Sequence, residues 1–221
     1  MPTLDPHAAV EAERLHALHA YDILHSAQEP FFDELTAFTA YLFSTPVARI
    51  AFVTQDQVWH KASEGMEAQE TLPVTESLCS QVVQLDRPVA VLEELPFVPE
   101  VMRQRQVRLY AAALLRSPQG YGLGTLCVAG SVPRTFTKPE QAVLHDLAEL
   151  VVGTLELRRQ VLATEGPEAW SSRQAHLTEA LREQLTLVRY LKARNPQELP
   201  VPPALLELVC QRLPHVLPRG E

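Results

Sequence analysis

Residues 107–130, VRLYAAALLRSPQGYGLGTLCVAG, constrain the chain more than any other stretch. Two apolar, strand-compatible runs flank Ser117-Pro118-Gln119-Gly120. There Pro118 presets the first turn dihedral, and Gly120 supplies the positive φ that closes a three-residue hairpin. Pairing Ser117 with Tyr121 then puts Leu109, Ala111, Ala113, Leu115, Leu123, Thr125 and Cys127 on one face. The other face collects Tyr110, Ala112, Leu114, Gly122, Gly124, Leu126 and Val128. Both faces are apolar, so the hairpin belongs at the centre of a sheet, with helices over one face and either more helix or a ligand cavity over the other.

The flanking segments supply the rest of such a domain. Alanine, leucine and glutamate predict a helix over 7–24, and Pro30 starts a second that carries Phe31, Leu35, Phe38 and Leu42 until Pro46 stops it. Val47 to Thr54 and Val58 to Ala62 read as two strands joined at Gln55-Asp56-Gln57. Residues 65–75 read as loop, Glu76 to Leu85 as a short helix and Pro88 to Leu92 as a short strand. Pro96 and Pro99 leave room for only a short helix before the central hairpin.

Beyond the hairpin, Thr137-Lys-Pro-Glu140 is a capping box that opens a long helix. Leu144, Ala148, Val151 and Leu155 make one stripe on it. Val143, Leu147, Leu150, Thr154, Leu157 and Val161 make a second, at 4-3-4-3-4 spacing. One stripe suffices for a domain core, so the second predicts a partner helix, most simply in a homodimer. Gly166-Pro167 ends the unit. A helix bearing Leu177, Leu181, Leu185, Val188 and Leu191 follows, then a shorter one over 203–213, which predicts a domain over 1–165 and a helical extension over 166–221.

The net charge of -8 comes from the first 165 residues, which argues against a nucleic-acid partner. The opening MPTLDPHAAVEAERL is polar and no apolar run is long enough to span a bilayer, so the expectation is a cytoplasmic chain without a membrane partner. Cys79, Cys127 and Cys210 are an odd count in apolar surroundings, which suits reduced core thiols.

Taken in order, EAERLHALHAYDIL, TPVARIAFVTQDQVWHKASEG, SLCSQVV, VRLYAAALLRSPQGYGLGTLCV and PRTFTKPEQAVLHDLAEL resemble the GAF domain family. The resemblance covers roughly three quarters of the chain and leaves out residues 166–221. It implies an α+β fold: a central antiparallel sheet, the first and long helices on one face, a ligand pocket on the other, and here a helical pair appended. It also implies a sensory or regulatory role. This chain departs from the family in carrying Val91-Leu92-Glu93-Glu94-Leu95 after the third strand and Leu109-Tyr110-Ala111-Ala112 at the start of the hairpin.

Residues expected at a ligand pocket are Phe52, Trp59, Cys79, Val82, Tyr110 and Thr125. Trp59 and Tyr110 join an apolar body to one polar handle on strands that should border the cavity. Bilin-binding relatives attach their chromophore through a cysteine usually followed by histidine. Here Ser80 follows Cys79, and a packing role is the better reading. Gly120-Tyr-Gly122-Leu-Gly124 leads into a strand instead of a helix, so it is a turn closure with two sites of close packing and no phosphate loop. Glu93 and Glu94 mark a solvated loop. His16 and His19 lack a third metal ligand, and no nucleotide-binding domain accompanies His176.

The leading expectation is a non-enzymatic sensor in which a small molecule biases helix packing, with an unidentified ligand and a signalling partner protein; no particular cofactor is implied. Two alternatives stand beside it. One is a thiol redox enzyme similar to the free methionine sulfoxide reductases built on this fold, using Cys79 and Cys127. The other is a degenerate GAF domain acting as a dimerisation scaffold.

Overall fold

A computed structural model describes residues 6–66 and 71–217. Helices α1 (Pro6–His19) and α2 (Pro30–Phe43) precede strands β1 (Val47–Val53), β2 (Gln57–Glu64) and β3 (Thr71–Pro73). Then come α3 (Leu78–Leu85), β4 (Val89–Val91), α4 (Glu100–Gln104) and the hairpin β5 (Leu109–Arg116) and β6 (Gly122–Gly130). The chain closes with α5 (Lys138–Thr164), α6 (Pro167–Arg194) and α7 (Pro203–Arg212). The strands form one antiparallel sheet in the order β3-β2-β1-β6-β5-β4. The edge strand β3 falls in the stretch read as loop, of which residues 67–70 lie outside the described residues.

This is the α+β architecture of a GAF fold. The central hairpin sits mid-sheet, and the Ser117 and Tyr121 backbones pair at 2.8 Å across a turn in which Gly120 has φ +93°. The capping box forms as read: the Glu140 amide donates to Thr137 Oγ1, and the Thr137 amide donates to Glu140 Oε2 at 2.8 Å. Helices α1, α2 and α5 cover one face of the sheet and α3 the other. Arg14 of α1 donates to the Val53 and Gly122 carbonyls, pinning that helix to the ends of β1 and β6.

Two features differ from the sequence reading. The first is the face assignment along β6. Arg116 pairs with Gly122 and Leu115 with Gly124, which leaves Leu123 as the extra residue of a β-bulge. One inserted residue exchanges the faces beyond it, so Thr125 and Cys127 share a side with Tyr110, Ala112 and Leu114. The bulge lies where Gly124 must pass β1 with bare backbone, since a Cβ there would sit 1.9 Å from the Ala51 carbonyl oxygen.

The second is the use of the extra stripe on α5. Val143, Leu147, Leu150, Thr154 and Val161 are buried within the single chain, and Leu157 is half-buried. Helices α6 and α7 fold back onto α5, and α6 also packs on α2. Leu177, Leu181, Leu185 and Val188 of α6 join the same core, while Leu191 stays exposed. The stripe is thus covered by the chain's own extension, and a homodimer loses the observation on which its expectation rested.

A charged hub fastens that extension. Glu29 accepts from Lys61 Nζ of β2 and Arg158 Nε of α5, each at 2.9 Å. It also accepts from Trp170 Nε1 at 2.9 Å and Gln174 Nε2 at 3.2 Å, both on α6. All five groups are buried. Among the described residues, no helix is long and apolar enough to cross a membrane.

Candidate functional site

On the sheet face away from α1, α2 and α5 lies a cavity of about 200 Å3. Its floor comes from β1, β2, β5 and β6, and α3 and the segment around α4 wall it in. Strand alternation decides which side chains reach it. On β1, Ala48, Ile50 and Phe52 point to the helical core, so Arg49 between them faces the cavity, beside Cys127 of β6 and Ser63 of β2 in the strand register. On β2 the pairing slips between Ile50 and Ala51, leaving Lys61 as an extra residue. His60 and Ser63 therefore both flank Arg49, while Lys61 turns through the sheet to Glu29.

The polar part of the cavity is cationic. Arg49 is 6% exposed, donates from Nε to Ser63 Oγ at 3.1 Å, and has Nη1 3.4 Å from His60 Nε2. Its Nη2 is buried and finds no hydrogen-bond partner. Arg105 also borders the cavity from an exposed position after α4. No aspartate or glutamate stands among the described lining residues. The remaining wall is largely apolar, with Leu72, Leu78, Met102 and Val107.

At the inner end are two thiols. Cys79 sits in the first turn of α3, where Ser77 Oγ caps its amide at 3.1 Å, and its Sγ lies 3.9 Å from Cys127 Sγ. The Tyr110 hydroxyl donates to Cys79 Sγ at 3.4 Å. Hydrogen bonding with the Cys127 thiol, reinforced by Tyr110 and by the nearby His60, holds Cys79 below the ordinary thiol range despite burial. The same pairing, with burial, pushes Cys127 well above it. Burial first, and then the two sulfurs, keep the Tyr110 phenol well above its usual value, so it remains a donor. The arrangement offers one polarised sulfur, a protonated neighbour and a buried guanidinium around one cavity.

Of the residues expected at a pocket, Cys79 and Tyr110 line this cavity. Val82 and Thr125 lie on the same side of the sheet without reaching its wall. Phe52 and Trp59 belong to the opposite face, where their rings stack at 6.2 Å within the helical core. Alternation along β1 and β2 places them there: the strands do border the cavity, but these two side chains point away from it. Arg49 and His60 were missed, while Cys127 entered only through the thiol redox alternative, which paired it with Cys79. A signal existed for Arg49, the one charged side chain inside the apolar run VARIAFV, which a central strand keeps only if it faces something polar.

No family model matches the chain. A cyclic di-GMP phosphodiesterase from Pseudomonas aeruginosa is 28% identical over 155 residues, 65% of this chain, and the match spans only 26% of that protein's length. Among solved structures, the free methionine-R-sulfoxide reductase from Neisseria meningitidis in complex with its substrate superposes with a TM-score of 0.51 at 17% identity. That match covers 72% of this chain and 96% of that one. The GAF domain of an Acinetobacter phosphoenolpyruvate-protein phosphotransferase gives 0.49 at 16% identity, covering 68% and 96%. At such identities the likeness speaks to the fold.

Proposed function

We infer that the chain is a regulatory sensor module without chemistry of its own, in which a small molecule enters the cavity over the sheet and is read out by helices on the opposite face. The carrying observation is the cavity itself: about 200 Å3 between the sheet and α3, with a few convergent polar groups on an otherwise apolar wall. A purely scaffolding domain has no use for such a space, since side chains normally fill it. A readout path lies beside it. His60 faces the cavity, and its neighbour Lys61 crosses the sheet to Glu29, which in turn holds Arg158 of α5 and Trp170 and Gln174 of α6. A shift of β2 on binding would be felt directly at the α5–α6 junction. The partial match to a cyclic di-GMP phosphodiesterase fits a place in signalling, and that protein's reaction is not carried over.

Native mass spectrometry of protein purified from its own cells tests this reading, because it reports a retained ligand and the subunit count together. A ligand-free chain whose melting temperature no metabolite fraction raises would refute it.

The thiol geometry supports a second reading, a reductase. Two sulfurs 3.9 Å apart in a cavity need only a short approach to form a disulfide. In that reaction a sulfoxide oxygen leaves as water, the two thiols supply two electrons and two protons, and an external dithiol reductant restores them. Turnover of free methionine sulfoxide by the wild type, lost in the Cys79→Ser, Cys127→Ser double variant, would favour the enzyme over the sensor.

A further inference from the structure

We propose that the cavity recognises a small organic acid, whose carboxylate docks on Arg49 and whose apolar remainder lies toward Leu72, Leu78 and Met102. The proposal rests on the ligand-cavity reading above and names the ligand's chemistry.

Three observations carry it. Arg49 is 6% exposed, pairs with no carboxylate among the described residues, and keeps a buried Nη2 without an acceptor. A buried guanidinium left in this way is costly unless an anion completes it, and the fork it presents matches a planar carboxylate. Its other two nitrogens are already oriented, by Ser63 Oγ and His60 Nε2, so the free one is pre-aimed and loses little freedom on binding. Among the other cations, buried Lys61 and Arg158 meet Glu29 and part-buried Arg134 meets Glu140, while buried Lys192 donates to the Glu198 carbonyl at 3.3 Å.

Size and polarity then bound the ligand. The cavity's volume of about 200 Å3 falls below the roughly 300–1,000 Å3 of sites for drug-sized ligands, which favours a small molecule. The apolar lining of Leu72, Leu78, Met102 and Val107 in the same cavity as Arg49 asks for an amphipathic molecule with a branched or thioether tail. Inorganic phosphate carries the charge but leaves that wall uncovered.

The test uses the full chain and three probes, 4-methylpentanoate, 4-methyl-2-oxopentanoate and 3-(methylthio)propanoate, each against its primary amide, with inorganic phosphate as a further probe. Affinities come from ligand-observed NMR at millimolar concentration. At least one acid should bind, and bind about tenfold more tightly than its amide, the margin of an ionised over a neutral acceptor at the guanidinium. Arg49→Gln should erase that margin, and Arg49→Lys should keep part of it. The unliganded Arg49→Gln protein should melt no lower than wild type, because the substitution removes an uncompensated charge, so folding and binding are separable. Equal binding of acids and amides by the wild type, undiminished acid binding by Arg49→Gln, or phosphate binding in preference to every acid would overturn this proposal alone. Failure of every acid and every amide to bind would overturn the ligand-cavity reading and the proposal with it.

Discussion

Replacing Glu29 with glutamine tests whether the charged hub joins the C-terminal helices to the sheet. The substitution keeps size and shape but removes the one anion shared by Lys61 and Arg158, whose side chains are 0% and 8% exposed. Breaking a buried ion pair by neutralising one partner costs about 3–5 kcal/mol, because the other charge is left unpaired. Two cations depend on Glu29, which argues for the upper part of that range. An escape exists: burial already lowers the Lys61 pKa, so the amine can shed its proton. The sign follows from linkage. Without Glu29 the folded-state pKa of Lys61 drops further below its unfolded value near ~10.4. The penalty is then full below the folded pKa and shrinks as pH rises toward the unfolded one, so the variant should recover stability relative to wild type in alkaline buffer. Arg158 keeps its charge throughout, and recovery should be partial. For a chain of this size the loss at neutral pH corresponds to about 6–20 °C in melting temperature. Urea titration followed by tryptophan emission in a Trp59→Phe background reads the effect and its local origin together, since the Trp170 indole donates to the same carboxylate. A Glu29→Gln variant within about 1 kcal/mol of wild type at neutral pH, the worth of an exposed pair, would refute the reasoning.

Further outcomes follow from particular contacts. Gly124→Ala places a Cβ against the Ala51 carbonyl oxygen and the Phe52 Cα, at 1.9 and 2.8 Å, so backbone must move and the loss should reach or exceed the upper end of about 1–3 kcal/mol. Gly120→Ala, with open space but φ +93°, should lose only about 1 kcal/mol; chemical denaturation of the two variants that reversed this order would contradict the strand register. Alkylation of Cys79 by iodoacetamide should rise with pH through a midpoint below the ordinary thiol value near ~8.5, and Cys127→Ala should move that midpoint up, since the Cys127 thiol is the leading stabiliser of the thiolate. An unchanged midpoint would remove the pairing from the account. A chain ended at Glu165 should stay folded yet bind hydrophobic dyes, because Leu147, Leu150 and Val161 lose the cover of α6 and α7; a well-behaved product without dye binding would show that the extension contributes nothing to that core.

Features whose physics is local were readable from residues alone. The turn at Ser117-Pro-Gln-Gly120, the Thr137/Glu140 box and the proline that opens α2 each depend on dihedrals and hydrogen bonds within a few residues, and each forms where the spacing put it. The hairpin's two apolar faces likewise implied a central position in a layered α+β domain, and the sheet order agrees. Tertiary structure decided what depends on register and on distant partners. Single extra residues at Lys61 and Leu123 exchange the faces of β2 and β6, bringing Cys127 to Cys79 and His60 to Arg49, and sending Lys61 to Glu29. Alternation has a period of two, so an unannounced bulge inverts every assignment beyond it. The second stripe on α5 was visible as an apolar surface in need of cover, but an amphipathic helix does not encode what covers it. Here the same chain does so, with helices that follow α5 directly, because folding back at Gly166 costs less ordering entropy than recruiting a second molecule.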